Sequence, residues 1–290
     1  MDFRKQNLSN KYFPQLVEEL QKASDSSIFP QVVGELKEMG ESSSPSLFTE
    51  ILEELLQIPW GHHRYIIDKC NDNPSKAFFY VRQTIANNWS RAMLLNFLDT
   101  NLYERQGNAV TNFKTTLPAV NSDLAQQLTK DPYCFDFVSL TEPFKEKELK
   151  DALLHNITKF LLELGNGFAF MGNEYRLKVG ETEQFLDLLF YNVNLKAYVV
   201  VEVKTTAFEP AQLGQLSSYV SCVNHLLRKS DDNATIGLLV CKDKDNVFAQ
   251  YSLEGYNQPL GISEFKVDEI FPKDFKSTLP SIEDIERELS

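Results

Sequence analysis

Three charged residues interrupt runs that are otherwise apolar and strand-like. Asp187 breaks FLDLLFY, and Glu202 and Lys204 break VVVEVK. An ionised group inside a buried run is costly unless it is paired or holds a cation. Alternate side chains of a strand point to the same face, so Glu202 and Lys204, two apart, share one. If the two strands pair with Asp187 opposite Glu202, the carboxylates approach and repel each other, and a hard divalent cation relieves that repulsion. Mg2+ suits such a site, because it takes oxygen ligands from one or two carboxylates and keeps positions for water and phosphate; Mn2+ is the expected substitute. A cation of this kind makes water a stronger nucleophile at neutral pH and stabilises a phosphate oxygen. Lys204 beside it would hold the water or offset developing charge. The residue types alone also allow a structural ion pair between Asp187 and Lys204 at a sheet end.

The elements around these residues decide between the two. GFAFMGNEYRLKVG, EQFLDLLFYNV and AYVVVEVKTT are aromatic and β-branched, are separated by turn residues, and read as three strands. Before them, KEKELKDALLHNITKFLLELG places Leu149, Leu153, Ile157, Phe160, Leu161 and Leu164 on one helical face and stops at Gly165 and Gly167. After them, PAQLGQLSSYVSCVNHLLRK returns to helical spacing with Pro210 in its first turn, and TIGLLVCK reads as a further strand. Helix, three strands, helix, strand is an α/β layer with a mostly buried sheet. With Asp187 and Glu-x-Lys on consecutive strands of that layer, the metal site is favoured over the ion pair.

Upstream, the chain reads as helices: VEELQKA, LFTEILEELLQI and the long stretch from Ala77 to Gly107. In the last, Phe79, Ile85, Trp89, Met93, Phe97 and Leu98 form a candidate buried stripe, with Gly107 as the stop. Residues 23–46, rich in Ser with scattered Pro and Gly, read as a loop. The acidic tail SIEDIERELS reads as a short helix or a frayed end. A length of 290 residues accommodates about two domains of roughly 150 residues. The prolines of DPYCFDF and TEPF mark the break, giving a helical domain over 1–140 and an α/β domain over 141–290.

The Asp187 and Glu202-Val203-Lys204 arrangement resembles the PD-(D/E)XK nuclease superfamily, whose core has the same order of elements. IPWGHHRYIIDK (58–69), FYVRQTIANNWSRAMLL (79–95), LYERQG (102–107), SDLAQQLTKDPY (122–133), TKFLLELGNGFAF (158–170), DLLFYN (187–192) and TIGLLVCK narrow this to a resemblance to the bacterial YhcG-like family, over roughly residues 50–265. That family joins an N-terminal helical domain to a C-terminal PD-(D/E)XK nuclease domain. The resemblance implies an Mg2+-dependent nuclease with a restriction-endonuclease-like core. Asp187, Glu202 and the backbone carbonyl of Val203 would bind the metal, and Lys204 would assist the water. Glu148 matches a family acid that can complete the site, although a solvated carboxylate near a helix N-terminus is an equal reading. Gln215 and Tyr219 share a helix face and match the Gln-Tyr motif of RecB-like nucleases; an ordinary amphipathic helix is the alternative. Two departures remove local positive charge. Phe208-Glu209-Pro210-Ala211 stands where Phe-Lys-Pro-Glu is common, and Asn173-Glu174 where Arg-Gln is common. The resemblance also implies a DNA- or partner-binding role for the helical domain, a homodimer, and a partner protein from a restriction or defence system.

Composition narrows the partners. The net charge is -12 and the pI about 4.9, whereas proteins living on bulk phosphate attraction are usually basic. The stretch 61–130 is nevertheless net basic. Arg64, Arg82, Arg91 and Arg105 are the candidate DNA-facing set, since Arg grips phosphate bidentately; Trp60 and Trp89 are read as core anchors. The composition excludes a disordered chain, a collagen-like fibre and a disulfide scaffold. No apolar run reaches the ~20 residues of a membrane span, and MDFRKQNLSNKYF lacks a secretory apolar region. Four dispersed cysteines fit a reducing cytoplasm. Neither GxSxG nor GxxxxGK[ST] occurs, so a serine hydrolase elbow and a P-loop are not indicated. Two function classes remain: a nuclease acting on DNA, with RNA not distinguished, and a non-catalytic nucleic-acid-binding or assembly module with a degenerate nuclease fold. The intact Asp-Glu-Lys set favours the first, while the acidic balance and the charge losses favour the second.

Overall fold

A computed structural model describes residues 53–70, 73–138, 140 and 143–267. The helix expected over 17–23, the start of the next at 47–52, the loop at 23–46 and the tail at 281–290 lie outside these residues. The chain divides into two compact units, one ending at Tyr103 and the other beginning at Glu104. Among the described residues no helix is long and apolar enough to cross a membrane.

The first unit is helical: α1 (Trp60–Cys70), α2 (Pro74–Asn87) and α3 (Arg91–Asp99), followed by the short α4 (Leu102–Arg105). Ile66, Tyr80, Val81, Leu94, Phe97 and Leu98 are buried together, and the Tyr80 hydroxyl donates to the Phe97 carbonyl at 3.0 Å. The stretch expected to be one long helix is divided among α2, α3 and α4. Asn88 adopts a left-handed backbone, φ 50°, which ends α2, and the Ser90 hydroxyl accepts from the Met93 N–H at 3.3 Å to start α3. Trp89 is buried as expected, but Trp60 is 53% exposed.

The second unit is built on a seven-stranded sheet: β1 (Val110–Thr111), β2 (Tyr133–Cys134), β3 (Phe168–Val179), β4 (Thr182–Asn192), β5 (Ala197–Ala207), β6 (Ile236–Asp243) and β7 (Leu260–Lys266). The order is β1-β7-β6-β5-β4-β3, with β2 beside β7. β3, β4 and β5 form an antiparallel meander, and β5, β6 and β7 run parallel. The β3–β4 turn uses Gly180 at φ 61°, a conformation that favours glycine. The helices of this unit are α5 (Phe113–Thr116), α6 (Ala119–Leu128), α7 (Glu146–His155), α8 (Ile157–Leu164), α9 (Pro210–Leu226) and α10 (Asn246–Leu253). The helix expected from Lys145 to Leu164 breaks at Asn156, whose side chain turns back to donate to the Ala152 carbonyl at 3.0 Å.

The sheet is covered on both faces. Leu149, Leu153, Phe160 and Leu164 of α7 and α8 pack with Val199, Val201 and Val203. Leu213, Leu216, Val220 and Val223 of α9 pack with Val200 and Leu239. Burial on both sides explains why β5 is apolar almost throughout rather than alternating, each such side chain contributing about 1.5–3 kcal/mol. Helix, three strands, helix and strand recur in the predicted order, so the α/β nuclease-like core is present. The boundary expected at 140 falls inside this unit, because β1 and β2, from upstream of it, pair with β7.

Candidate active site

The site lies where β4 and β5 stop pairing. Leu188 pairs with Val201. One step beyond, Asp187 comes level with Glu202, and its Oδ2 accepts from the Val203 N–H at 3.4 Å. Lys204 follows two residues later on the same face of β5, its Nζ 2.8 Å from Glu202 Oε1. The structure therefore brings Asp187, Glu202 and Lys204 together, as the alternation of the two strands predicts.

It also brings two residues that the sequence reading missed. Helix α7 starts over this end of the sheet, and one turn apart on it stand Glu146 and Lys150. Lys150 Nζ lies 2.8 Å from Asp187 Oδ1 and 3.2 Å from Glu146 Oε1. The same Glu146 oxygen is 3.2 Å from Lys204 Nζ. The five groups alternate in sign: Asp187, Lys150, Glu146, Lys204, Glu202. Glu148, the acid named from the sequence, turns its Oε2 back to accept from the Lys145 N–H at 2.7 Å, the usual task of a glutamate at that position of a helix start. The i, i+4 spacing of Glu146 and Lys150 is shared by Lys147 and Asp151, so spacing alone does not single them out.

Burial sets the electrostatics. Glu202 is 1% exposed, and its Oε2 is buried with no hydrogen-bond partner. Burial first, and then the Asp187 carboxylate, push its pKa up to about 7, against the opposing pull of Lys204. Burial works against the ammonium of Lys204, but the hydrogen bond and charge of Glu202, with Glu146 and Asp187, outweigh it and raise its pKa. Lys150 behaves alike, with burial opposed by Asp187 and Glu146 and the net shift upward.

The remaining predicted residues sit apart from this cluster in their bonding. Gln215 and Tyr219 share a face of α9 and bond to each other, Gln215 Nε2 to the Tyr219 hydroxyl at 2.7 Å, with Tyr219 buried. Glu209, one of the departures, stands at the N-cap of α9. Of the arginines, Arg64, Arg82 and Arg91 are exposed. Arg82 pairs with Glu54 at 3.0 Å, and the Arg91 guanidinium lies 5.5 Å from the centre of the Tyr65 ring. Arg105 does not face solvent. It is 3% exposed, with its guanidinium on Glu163 and on the Pro132 carbonyl, and a guanidinium so committed is not presented to phosphate.

Comparison with known proteins follows the same division. Residues 126–280 match the YhcG PDDEXK nuclease domain, and residues 3–105 match the DUF1016 N-terminal domain. YhcG of Escherichia coli (strain K12) is 30% identical over 200 residues, which are 67% of this chain and 53% of that protein. The chain thus spans about half the length of the curated relative it matches. Among solved structures, an EndoMS complex with double-stranded DNA is 21% identical over 48% of this chain and 50% of its own, at a TM-score of 0.31. A repair endonuclease from Pyrococcus abyssi is 20% identical over 44% and 50%, at a TM-score of 0.29. These two likenesses are too partial to bear on substrate or mechanism.

Proposed function

We propose that this chain, which belongs to the YhcG PDDEXK nuclease family, hydrolyses phosphodiester bonds of DNA with a divalent cation held by Asp187 and Glu202. The observation that carries this reading is the buried, unpartnered Oε2 of Glu202 beside Asp187. A carboxylate oxygen so placed is costly in a finished protein unless something occupies it. The donors fit a hard cation. Two carboxylates, with the Val203 backbone carbonyl between Glu202 and Lys204, form an all-oxygen set, and Mg2+ needs only one or two carboxylates when water and phosphate supply the rest. Among the described residues no group of three or more His, Cys, Asp or Glu gathers in metal-binding fashion, which a typical protein zinc site would require.

When bound, the cation supplies Lewis acidity to a phosphate oxygen and to the attacking water. The chain supplies the rest. Asp187 and Glu202, where β4 and β5 stop pairing, would hold the cation. Lys204 keeps its proton, because its acidic neighbours raise its pKa. As an ammonium it would orient the water or neutralise charge on the phosphate. Helix α7 and β5 hold that ammonium from two sides, through Glu146 and Glu202.

Mg2+ is the proposed physiological cation, with Mn2+ as its substitute. DNA is the proposed substrate, with RNA as the competing one. A homodimer would let the enzyme cut both strands, and a restriction or defence partner protein would fit the family. The four cysteines form no disulfide with one another, which supports a reducing, cytoplasmic setting. The test is incubation of the purified full chain with supercoiled plasmid, linear duplex, single strand, four-way junction and short RNA, in Mg2+ and in Mn2+. The same panel is run with Asp187→Ala, Glu202→Ala and Lys204→Ala. Cleavage by the wild type that each variant loses by about 100-fold or more is the expected result. No cleavage of any substrate by the wild type, or equal cleavage by Asp187→Ala, overturns the reading.

A further inference from the structure

Lys150 has no task in the chemistry above, yet its ammonium holds the first carboxylate of the site. It stands 2.8 Å from Asp187 Oδ1, and its side chain is 20% exposed against 13% for Asp187. Three carboxylates and two ammoniums leave the cluster with one net negative charge. A divalent cation turns that into one net positive charge, which a phosphodiester monoanion neutralises. The cation and the Lys150 ammonium cannot both sit on Asp187 without like-charge repulsion, which is strong in a partly buried site. Lys150 has a second seat ready. Glu146, one turn earlier on α7, already accepts from it at 3.2 Å, and that i, i+4 pair is local to the helix and needs no rearrangement of the sheet.

We propose that Lys150 is an exchangeable counter-ion of Asp187. It neutralises that carboxylate in the metal-free protein, yields it to the divalent cation, and then rests on Glu146 alone. It is a positioning residue: it sets how tightly the site takes the metal and keeps Asp187 in place beforehand. The inference rests on Asp187 and Glu202 being the metal ligands. A simple structural brace would act in the opposite direction, since removing a brace loosens Asp187 and weakens metal binding, whereas removing a competitor strengthens it.

The experiment is calorimetric titration of Mn2+ alone into the full chain, without nucleic acid. Wild type is compared with Lys150→Met, which keeps the stem and removes the charge, with Lys150→Arg, which keeps the charge, and with Asp187→Ala. Lys150→Met should bind about tenfold more tightly, Lys150→Arg close to wild type, and Asp187→Ala not detectably. Thermal melting in EDTA should show Lys150→Met less stable than wild type, with Mn2+ closing the gap. Lys150→Gln serves in parallel, so that a folding failure of the methionine variant leaves the comparison intact. Binding by Lys150→Met or Lys150→Gln but not by wild type is the strong form of the expected result. Equal or weaker binding by both neutral variants overturns the exchange while leaving the metal site standing. Absence of Mn2+ binding in wild type and all variants overturns both.

Discussion

Glu163 shows what a buried charge looks like when it is fully engaged. Its carboxylate meets the Arg105 guanidinium, with Nη2 to Oε2 at 3.2 Å, and accepts from the Cys134 N–H at 2.9 Å. Lys130 Nζ donates to the Glu163 backbone carbonyl and lies 3.8 Å from its carboxylate. Two cations face one anion, and both lysine and arginine are buried. Burial therefore pushes Lys130 down to about 8; Glu163 opposes the shift and Arg105 adds to it. A folded-state pKa below the unfolded one means the ammonium is disfavoured by folding. That cost is fully present below pH 8 and is relieved as pH rises from about 8 toward the ordinary lysine value of 10.5, because the unfolded chain binds more protons over that window. Wild type should gain stability relative to Lys130→Met across this window, by up to about 1 kcal/mol per pH unit. Urea denaturation at a series of pH values measures it, and parallel profiles for the two proteins would refute the assignment. Glu202 differs in kind. Its Oε2 has no partner, so the strain at that residue is what a bound cation would relieve.

At the scale of elements, the placement of α9 over the sheet depends on one glycine. A Cβ on Gly237 of β6 would stand 2.8 Å from Leu260 Cδ2, 2.9 Å from Leu216 Cγ and 2.9 Å from Val220 Cγ2. Two of these atoms belong to α9 and one to β7, so the helix can approach β6 only where no side chain intervenes. Gly237→Ala should cost about 1–3 kcal/mol by overpacking, read as a lower urea midpoint at unchanged slope. Gly255→Ala, where a Cβ meets nothing within 4 Å, is the matched control. Equal midpoints for the two would contradict the close approach. The same elements show what the sequence can reveal. β3, β4 and β5 were legible because β-branched and aromatic runs end at turn residues, and Asp187, Glu202 and Lys204 because a charge in such a run needs a reason. The α2–α3 break was hidden, since apolar spacing continues across Asn88 and Ser90 and only the left-handed Asn88 interrupts it. β1 and β2 are two residues each, too short for any periodicity. Glu146 and Lys150 were hidden differently: on a helix start as charged as KEKELKD, nothing in residue type separates them from Lys147 and Glu148. Only the strand end beneath them does.

At the scale of the molecule, the question is where the nuclease unit begins, and the sheet supplies an argument. Among the described residues, β7 is paired on its outer side by segments from before residue 140: Val110 with Ile262, Thr111 with Gly261, and Tyr133 with Phe265. Phe113, Tyr133 and Phe135 from the same stretch lie in the core that α7 and α8 cover. Three charged contacts also reach back. Glu163 depends on Arg105 and Lys130, and Lys244, with its side chain 2% exposed, depends on Asp131. A chain beginning at 141 would bare an edge of β7, open the core, and leave Glu163 and Lys244 buried without these partners. Breaking one buried pair alone costs about 3–5 kcal/mol, against a total stability of about 5–15 kcal/mol for a whole domain. A chain beginning at Glu104 keeps every one of these contacts. Circular dichroism melting of the two shortened chains distinguishes the boundaries. The chain from 104 should unfold in one cooperative step and retain Mn2+ binding, while the chain from 141 should show no cooperative transition. A cooperative melt for the shorter chain at the same midpoint would return the boundary to residue 140 and make β1, β2 and the Arg105 contact dispensable additions to a core complete without them.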